Sequence, residues 1–342
     1  MKTQDFDFDL PPDLIAQAPL PDRDASRLLT LDRGTGAIGH NRFLALPDLL
    51  REGDLLIVNR SKVLPARLLG HTSGGGRAEV LYLFPEPGGD DTFRAMVRPG
   101  RKLKVGAVVT LGEHERCRVV AVHQDGARTM KFEGEAKDLD LLLKIGHLPL
   151  PPYIDRADGP LDRERYQTIY AREPGSVAAP TAGLHFTTAL LDRIRERGAI
   201  VREIMLHVGP GTFARVDVDD IAEHRVAPEK IFVPEDTADA FATARALGRR
   251  VIAVGTTTVR TLESVVKDGR LEAGEGETDL VIRPGHRFQA VDALVTNFHL
   301  PKSSLLFLVA AFAGREAVLS AYAEAIRSGY RFYSYGDAMF IH

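Results

Sequence analysis

Three short polar segments combine histidine or threonine with glycine or proline, and each follows a stretch that predicts a buried strand. They are His207-Val208-Gly209-Pro210-Gly211-Thr212-Phe213, Gly255-Thr256-Thr257-Thr258-Val259-Arg260 and Thr296-Asn297-Phe298-His299-Leu300-Pro301-Lys302-Ser303-Ser304. If the three preceding strands are parallel, these segments emerge at one edge of the sheet. Ligands of open α/β sheets bind outside that carboxyl edge. The edge is therefore a candidate ligand site.

The threonine segment has a direct physical interpretation. Gly255 permits a tight turn, and Thr256 to Thr258 can cap the helix that follows. The free N–H groups and the dipole of a helix start attract anions, so a carboxylate or phosphate could bind there beside Arg260. The alternative is that the threonines only cap the helix.

The histidines of the other two segments also allow two interpretations. His207 ends a predicted strand, and Gly209 and Gly211 let the backbone approach a ligand closely. The same residues could form a simple glycine turn with a histidine at its rim. His299 lies between Phe298 and Leu300, which favours a histidine of the core unless the three segments converge.

A fourth segment, Gly175 to Phe186, is small, unpatterned and rich in glycine and alanine. It fits neither the period of a strand nor that of a long helix. Such a loop could wrap a flat ligand, with His185 as acid or base and Phe186 as a stacking face. The alternative is an irregular connector.

The secondary-structure elements that must position these segments show two different hydrophobic patterns along the chain. From Val63 to Gly146, short apolar alternations are separated by turns such as Ser73 to Gly76, and they predict an antiparallel β-barrel. After Gly146, helices and strands alternate, which predicts a sheet covered by helices. We therefore expect an α/β class with a discontinuous catalytic domain (residues 1–62 and 146–342) and an inserted β-barrel domain (residues 63–145).

Composition narrows the possible functions of this 342-residue chain. Hydrophobic residues make up 44% and charged residues 27%, as in ordinary globular proteins. The single cysteine, Cys117, leaves no internal disulfide, and no apolar run approaches the roughly 18 residues of a membrane span. The acidic start lacks the basic region of a signal peptide. We expect a cytoplasmic protein, with no membrane association.

Several common chemistries lack their motifs. The chain contains no G-x-x-x-x-G-K-[ST], no G-x-G-x-x-G between a strand and a helix, no G-x-S-x-G and no H-E-x-x-H. The eleven histidines show no tight metal-ligand spacing. We expect no metal, and a metal-free group transfer remains open.

A basic run lies in the predicted barrel. Arg94, Arg98, Arg101, Lys102 and Lys104 follow one another with no acidic residue between Thr92 and Gly112. Such a surface could track a phosphate backbone, although the net charge of −3 is unlike that of a dedicated nucleic-acid binder. The alternative is an edge strand protected by its charges.

The chain as a whole resembles the S-adenosylmethionine:tRNA ribosyltransferase-isomerase family of queuosine synthesis. The resemblance rests on long, ordered motifs over nearly the full length: Phe8 to Pro11, Asp22 to Leu28, Val63 to Leu68, Gly146 to Ile154, Arg165 to Thr168, Gly175 to Phe186, Gly255 to Ser264, Thr296 to Pro301 and Tyr330 to Met339. The chain departs from the family pattern at two places. Arg60 and Ser61 stand where the family has Asp-Thr after Asn59, and Ala227 replaces a second histidine while Glu229 is retained.

The resemblance implies a reaction in which S-adenosylmethionine is consumed as a ribosyl donor. Its ribosyl unit is joined to 7-aminomethyl-7-deazaguanine at the wobble position of a tRNA and rearranged, giving epoxyqueuosine, adenine and methionine. The reaction requires proton removal at the 5′ carbon, protonation of the leaving adenine and attack by a neutral amine. These acid–base steps suit side chains that titrate near neutral pH. The partners implied are the tRNA and S-adenosylmethionine, and we expect a monomer.

The resemblance also implies roles for residues of this chain. His185, His207 and His299 are the acid–base candidates, with Asp337 and Glu263 as orienting carboxylates. Arg260 and the helix start at Thr256, Thr257 and Thr258 would hold the methionine carboxylate. Phe186, Tyr333 or Tyr335 would stack on adenine or the wobble base. The remaining substrate-binding candidates are Thr181, Gly209, Gly211 and Asn297, and the tRNA-binding candidates are Arg67, Arg98, Arg101, Lys102 and Lys104.

Two other functions stay compatible with the residue patterns alone. One is a metal-free nucleoside hydrolase or glycosyl transferase acting on a small substrate, with the barrel as a lid. The other is a non-catalytic RNA-binding module. Release of adenine from S-adenosylmethionine in the presence of the modified tRNA would separate all three.

Overall fold

A computed structural model of the chain describes residues 1–86, 88, 91–134, 138–209, 211 and 216–342. Pro210, Thr212 and Phe213 of the glycine segment, and Gly89 in a predicted turn, lie outside the described residues. The helices are α1 (Leu46–Leu49), α2 (Asp138–Ile145), α3 (Pro160–Arg165), α4 (Thr188–Glu196), α5 (Glu235–Ala246), α6 (Thr256–Val265), α7 (Ser304–Ala313) and α8 (Arg315–Arg327). The strands are β1 (Arg27–Leu31), β2 (Ile38–Arg42), β3 (Leu55–Asn59), β4 (Ser61–Val63), β5 (Arg67–Thr72), β6 (Arg77–Pro85), β7 (Thr92–Arg98), β8 (Val108–Thr110), β9 (Arg116–Val122), β10 (Arg128–Glu133), β11 (Glu173–Ser176), β12 (Ile200–Leu206), β13 (Glu229–Val233), β14 (Val251–Val254), β15 (Val266–Lys267), β16 (Arg270–Leu271), β17 (Gly274–Thr278), β18 (Ala293–Asn297) and β19 (Ala338–Ile341).

Within the described residues, nine strands form one mixed sheet in the order β17-β13-β12-β3-β14-β18-β19-β1-β2. The four central strands β12, β3, β14 and β18 run parallel. Their carboxyl ends therefore meet at one edge, and the polar segments that follow β12, β14 and β18 emerge there together. The predicted convergence of the three segments on one sheet edge is confirmed.

The central strands are buried on both faces, which explains their continuous apolar runs. On β3, Leu55 and Ile57 pack into one core, while Leu56 and Val58 pack into the core on the opposite face. Helices cover both faces, and α4 begins where the hydroxyl of Thr187 accepts the Leu190 N–H at 3.1 Å. The predicted α/β class is confirmed.

Strands β10-β7-β6-β5-β8-β9 close into an antiparallel barrel, as predicted. Its interior is filled by apolar side chains, with the rings of Phe93 and Phe132 stacked at 4.1 Å between centroids. The Ser73 to Gly76 segment joins β5 to β6 as a hairpin turn. All barrel strands lie within residues 63–145, and the division into two domains at those boundaries stays a prediction.

No single helix in the described ranges is long and apolar enough to cross a membrane. Only α7 and α8, which meet at a bend of 113°, pass a length and composition test when taken as a pair. The apolar side chains of α7 pack in the core of the sheet layer.

Candidate functional site

Two adjoining cavities lie at the carboxyl edge of the parallel strands. The smaller has a volume of about 60 Å³, the larger about 770 Å³, and Val208 and Leu305 line both. The predicted site residues that line the smaller cavity are Thr181, Thr256, Thr257, Asn297, His299 and Tyr333. Those that line the larger cavity are His207, Gly209, Gly211 and Arg260. Segments more than a hundred residues apart in the chain thus share one continuous cleft.

The larger cavity lies between the sheet edge and the barrel. Its barrel side is built from β6 and β7 and includes Phe84, Arg94 and Met96. His207 and Glu229 line it from the sheet side. A ligand in this cavity would therefore contact both parts of the fold.

His207 directly follows β12, where its backbone N–H donates to the Lys230 carbonyl at 3.0 Å. The ring lies against Gly175, where an added Cβ would come within 2.6 Å of Nε2. Gly175 has a φ of 150° and its missing side chain makes room for the imidazole. The Nδ1 atom of His207 is buried, and no described residue forms a hydrogen bond with it. Burial, and then the charge of Lys230, lower the pKa of His207 below its ordinary value, so the ring is neutral at neutral pH.

His299 lines the smaller cavity. Its Nε2 lies 2.8 Å from the Thr296 hydroxyl, which itself donates to the Asn297 carbonyl at 3.3 Å. Burial lowers the pKa of His299 to about 3.

His185 lies behind the cavity wall rather than on it. Its Nε2 is 3.2 Å from Asn297 Nδ2, and its Nδ1 is 2.8 Å from the Ser26 hydroxyl. The Asn297 amide nitrogen also donates to the Tyr333 carbonyl at 3.0 Å, and Asn297 Oδ1 is buried with no hydrogen bond to a described residue. Burial first, and then Arg23 and Arg331, lower the pKa of His185 to about 3.

Helix α6 begins differently from the prediction. Its N-cap is Gly255, with a φ of 89° and no side chain to cap the helix. Thr258 is fully buried and its hydroxyl donates back to the Val254 carbonyl at 2.7 Å, so it does not face the cavity. The capping role predicted for the threonines is therefore wrong, while Thr256 and Thr257 line the smaller cavity at the helix start.

Arg260 is one turn into α6 and is held by a carboxylate of the chain. Its Nη1 pairs with Glu229 Oε2, and its Nε donates to the Leu280 carbonyl at 2.9 Å. Glu229 Oε1 accepts the Gly209 N–H at 2.7 Å. The pair therefore connects α6 to the segment that carries His207.

Four other predicted residues lie away from the cavity walls. Asp337 accepts the N–H groups of Arg27 and Arg331, both at 2.8 Å, and burial raises the pKa of its carboxyl group. Glu263 accepts the Ala290 N–H at 2.9 Å and so holds the segment that leads into β18.

The other two are aromatic residues. The hydroxyl of Tyr335 donates to Asp162 at 2.7 Å. Phe186 is fully buried against Phe43 and Tyr170, so it offers no open stacking face, in contrast to the prediction.

Sequence reasoning missed the contribution of Asn59, the last residue of β3. Its side chain accepts the N–H of Leu206 at 3.1 Å and donates to the Leu206 carbonyl at 3.0 Å. Its Nδ2 also lies 3.4 Å from the Thr257 hydroxyl. The sequence did contain a signal for this role. Asn59 is a polar residue at the end of a buried apolar strand, and that strand is parallel to β12, β14 and β18. Arg60, the departure beside it, faces Glu173 at 3.4 Å.

The predicted tRNA-binding residues divide into two groups. Arg67 forms an ion pair with Glu79 at 3.1 Å. Arg98, Arg101, Lys102 and Lys104 are exposed and make no ion pair with any described residue. The loop that carries them is held by the buried Arg128, which donates to the carbonyls of Gly100 and Leu103, both at 2.8 Å.

No group of three or more histidine, cysteine or acidic side chains in the described part of the chain could hold a metal ion. The cleft instead contains neutral imidazoles, an unpartnered amide oxygen, a helix start and an apolar barrel wall. The protein is therefore an α/β protein in which a cleft with two histidines lies between the edge of a helix-covered mixed sheet and an inserted barrel that carries exposed cations.

Comparison with known proteins identifies the family. The model of the queuosine biosynthesis protein family matches residues 3–341, and the chain belongs to that family. It is 52% identical to a protein of Moorella thermoacetica and 50% identical to one of an Azoarcus species, both named S-adenosylmethionine:tRNA ribosyltransferase-isomerase. The alignments cover 100% of this chain and 100% and 97% of those relatives.

A solved structure supports the same assignment. The S-adenosylmethionine tRNA ribosyltransferase of Thermotoga maritima has a TM-score of 0.57 and 39% identity, over 99% of this chain and 100% of that chain. The family resemblance stated from the sequence motifs is confirmed.

Proposed function

We propose that this protein transfers the ribosyl moiety of S-adenosylmethionine to 7-aminomethyl-7-deazaguanine at the tRNA wobble position and isomerises it, giving epoxyqueuosine-tRNA with release of adenine and methionine. The observation that carries the proposal is the meeting of the three family motifs at one cleft between the sheet edge and the barrel. The names and full-length identity of the relatives support it.

The smaller cavity and the adjoining part of the larger one would hold S-adenosylmethionine. The N–H groups at the start of α6 attract a carboxylate such as that of the methionine moiety. Because Arg260 is already paired with Glu229, its charge would support this binding from one turn away. Asn297 Oδ1 would accept a hydrogen bond from the nucleoside, and Tyr333 would pack against it.

His207 would be the principal base of the reaction. The sulfonium acidifies the adjacent 5′ carbon, so a neutral imidazole there can remove a proton and start the rearrangement. The lowered pKa of His207 keeps the imidazole neutral. No described residue forms a hydrogen bond with its Nδ1, so no such bond would have to break before that atom accepts a proton. His299, on the wall of the smaller cavity, would exchange protons with the nucleoside, while His185 would position Asn297.

The tRNA would bind across the opening between the two parts of the fold. The exposed cations on the β7–β8 loop suit a phosphate backbone, and the cavity beside them leads to His207. We place this reaction in the cytoplasm, on a monomer, without a metal.

The test is the release of adenine from S-adenosylmethionine in the presence of tRNA carrying the modified base. We expect adenine and methionine in equal amounts and a ribosylated tRNA. S-adenosylhomocysteine is the matched control, because it lacks the sulfonium that acidifies the 5′ carbon, and it should release none. Activity on a free nucleoside without tRNA would favour a small-substrate glycosyl transferase. Tight RNA binding without any adenine would favour a non-catalytic RNA-binding module.

A further inference from the structure

One outer face of the barrel carries apolar and basic side chains in cross-strand register. Arg67, Leu81 and Met96 face one another across β5, β6 and β7, and Phe84 is opposite Arg94. Phe84 is 46% exposed and Met96 is 38% exposed. The two side chains line the same cavity, and an exposed apolar patch beside basic residues is typical of a ligand-binding surface.

This face forms part of the wall of the larger cavity. Leu83, Phe84 and Met96 line the cavity from the barrel, and His207 lines it from the sheet edge. A group stacked on Phe84 would therefore share one space with the group that reacts at His207.

The charges around the face favour a polyanion with flat, apolar parts. Arg94 is held by Glu86 at 3.5 Å and Asp125 at 3.2 Å, so it is neutralised within the protein. Arg98 follows Met96 on the same outer side of β7, and it begins the exposed basic loop. Aromatic platforms interleaved with free cations are typical of surfaces that bind single-stranded nucleic acid.

We propose that the β6–β7 face is a nucleotide-binding subsite, in which Phe84 and Met96 stack on an unpaired anticodon-loop base beside the reacting base, while Arg98 and the basic loop contact the phosphates. This inference rests on the proposed function and adds to it a second base, held by the barrel. Loop bases can be splayed out and stacked on aromatic side chains in this way.

A fluorescent reporter tests the stacking directly, because the chain contains no tryptophan. In Phe84→Trp, the indole is the only one in the protein, and a base stacked on it should quench its emission. The matched control is Val122→Trp. Val122 is 48% exposed on β9, which lies opposite β6 in the six-stranded ring. Titration with an anticodon stem-loop RNA carrying the modified base should quench the first variant and leave the second unchanged.

An affinity measurement provides a second readout. Phe84→Ala should weaken binding of the stem-loop about 5- to 150-fold, the range found when a stacked aromatic is removed. Phe84→Tyr should restore binding, and the KM for S-adenosylmethionine should not change in either variant. Val122→Ala should bind the RNA like the unmodified protein.

The outcomes separate this inference from the proposed function. Saturable RNA binding and normal adenine release, with an unquenched Phe84→Trp and unweakened Phe84→Ala, would overturn the subsite alone. Failure of the unmodified protein to bind the RNA or to release adenine would overturn both. Equal quenching in Phe84→Trp and Val122→Trp would also overturn the subsite, since the contact would not be specific to this face.

Discussion

The three histidines that the sequence presents as equivalent candidates differ in their surroundings. His185 and His299 are almost completely buried, and their pKa values are lowered to about 3, so they cannot carry a positive charge near neutral pH. His207 is half-buried on the wall of the larger cavity. The sequence pattern could not distinguish them, because burial depends on how distant segments pack.

Replacing His207 by alanine should abolish adenine release in a single-turnover assay. The substitution removes the proposed base, and it breaks no hydrogen bond between Nδ1 and a described residue. His114→Ala is the matched control, because His114 is exposed on the barrel between β8 and β9. A near-native single-turnover rate for His207→Ala would exclude His207 as the base.

The pH dependence of the reaction should report the charge of Lys230. Lys230 lowers the pKa of His207, and the unprotonated imidazole is the active form. In Lys230→Gln the pKa of His207 rises, so the acid limb of the kcat/KM profile should move to higher pH. Because Lys230 is exposed, the shift should shrink in high salt. An acid limb that stays in place or moves to lower pH would contradict the assignment of that limb to His207.

At the scale of elements, the position of His207 depends on side-chain hydrogen bonds and an ion pair that join the ends of neighbouring strands and helix α6. Asn59 binds both backbone groups of Leu206 and so holds the end of β3 against the end of β12. The Glu229–Arg260 pair then joins the start of β13 to α6. Asn59 therefore holds the residue before His207, and Glu229 holds Gly209, two residues after it.

Asn59→Ala should lower the free energy of unfolding by about 2–4 kcal/mol, because the N–H and carbonyl of Leu206 would lose their partners inside the protein. Urea unfolding measures the change. The control is Asn41→Ala on the edge strand β2, where we expect less than about 0.5 kcal/mol. Equal effects of the two substitutions would show that Asn59 does not tie the strands together.

The loop between β7 and β8 should account for much of the salt dependence of tRNA binding. Changing Arg98, Arg101 and Lys102 to glutamine removes three exposed cations. The KM for tRNA should rise, and the slope of log affinity against log salt should flatten by about two. Arg116→Gln with Lys131→Gln, on β9 and β10, is the control. An unchanged slope in the triple variant would exclude this loop from phosphate contacts.

At the scale of the whole molecule, the local patterns predicted the barrel and the parallel edge, because alternation and turn residues act over short distances. They did not predict the position of β19, which pairs with β18 on one side and β1 on the other and so brings the end of the chain into the sheet. They also could not reveal the larger cavity. It exists only because the inserted barrel packs opposite the sheet edge.

The two deeply buried histidines should make the whole fold sensitive to mild acid. Their pKa values are about 3 in the folded protein, against an ordinary value of 6.5, so below pH 6.5 the unfolded chain binds protons that the folded chain does not. Stability is therefore lost as the pH falls from about 6.5 towards 3. Each histidine contributes at most about 1.4 kcal/mol per pH unit. The carboxylates titrate mainly below this window, so the slope of unfolding free energy between about pH 6 and 5 reports the histidines.

His299→Gln should reduce that slope by up to about 1.4 kcal/mol per pH unit, because glutamine binds no proton in the unfolded chain. The variant can be less stable overall without affecting this comparison, since the slope and not the absolute stability is measured. The control is His114→Gln, at an exposed position of the barrel, and it should leave the slope unchanged. If His299→Gln unfolds with the same pH slope as the unmodified protein, burial does not hold the His299 ring neutral in the folded state between about pH 6 and 5.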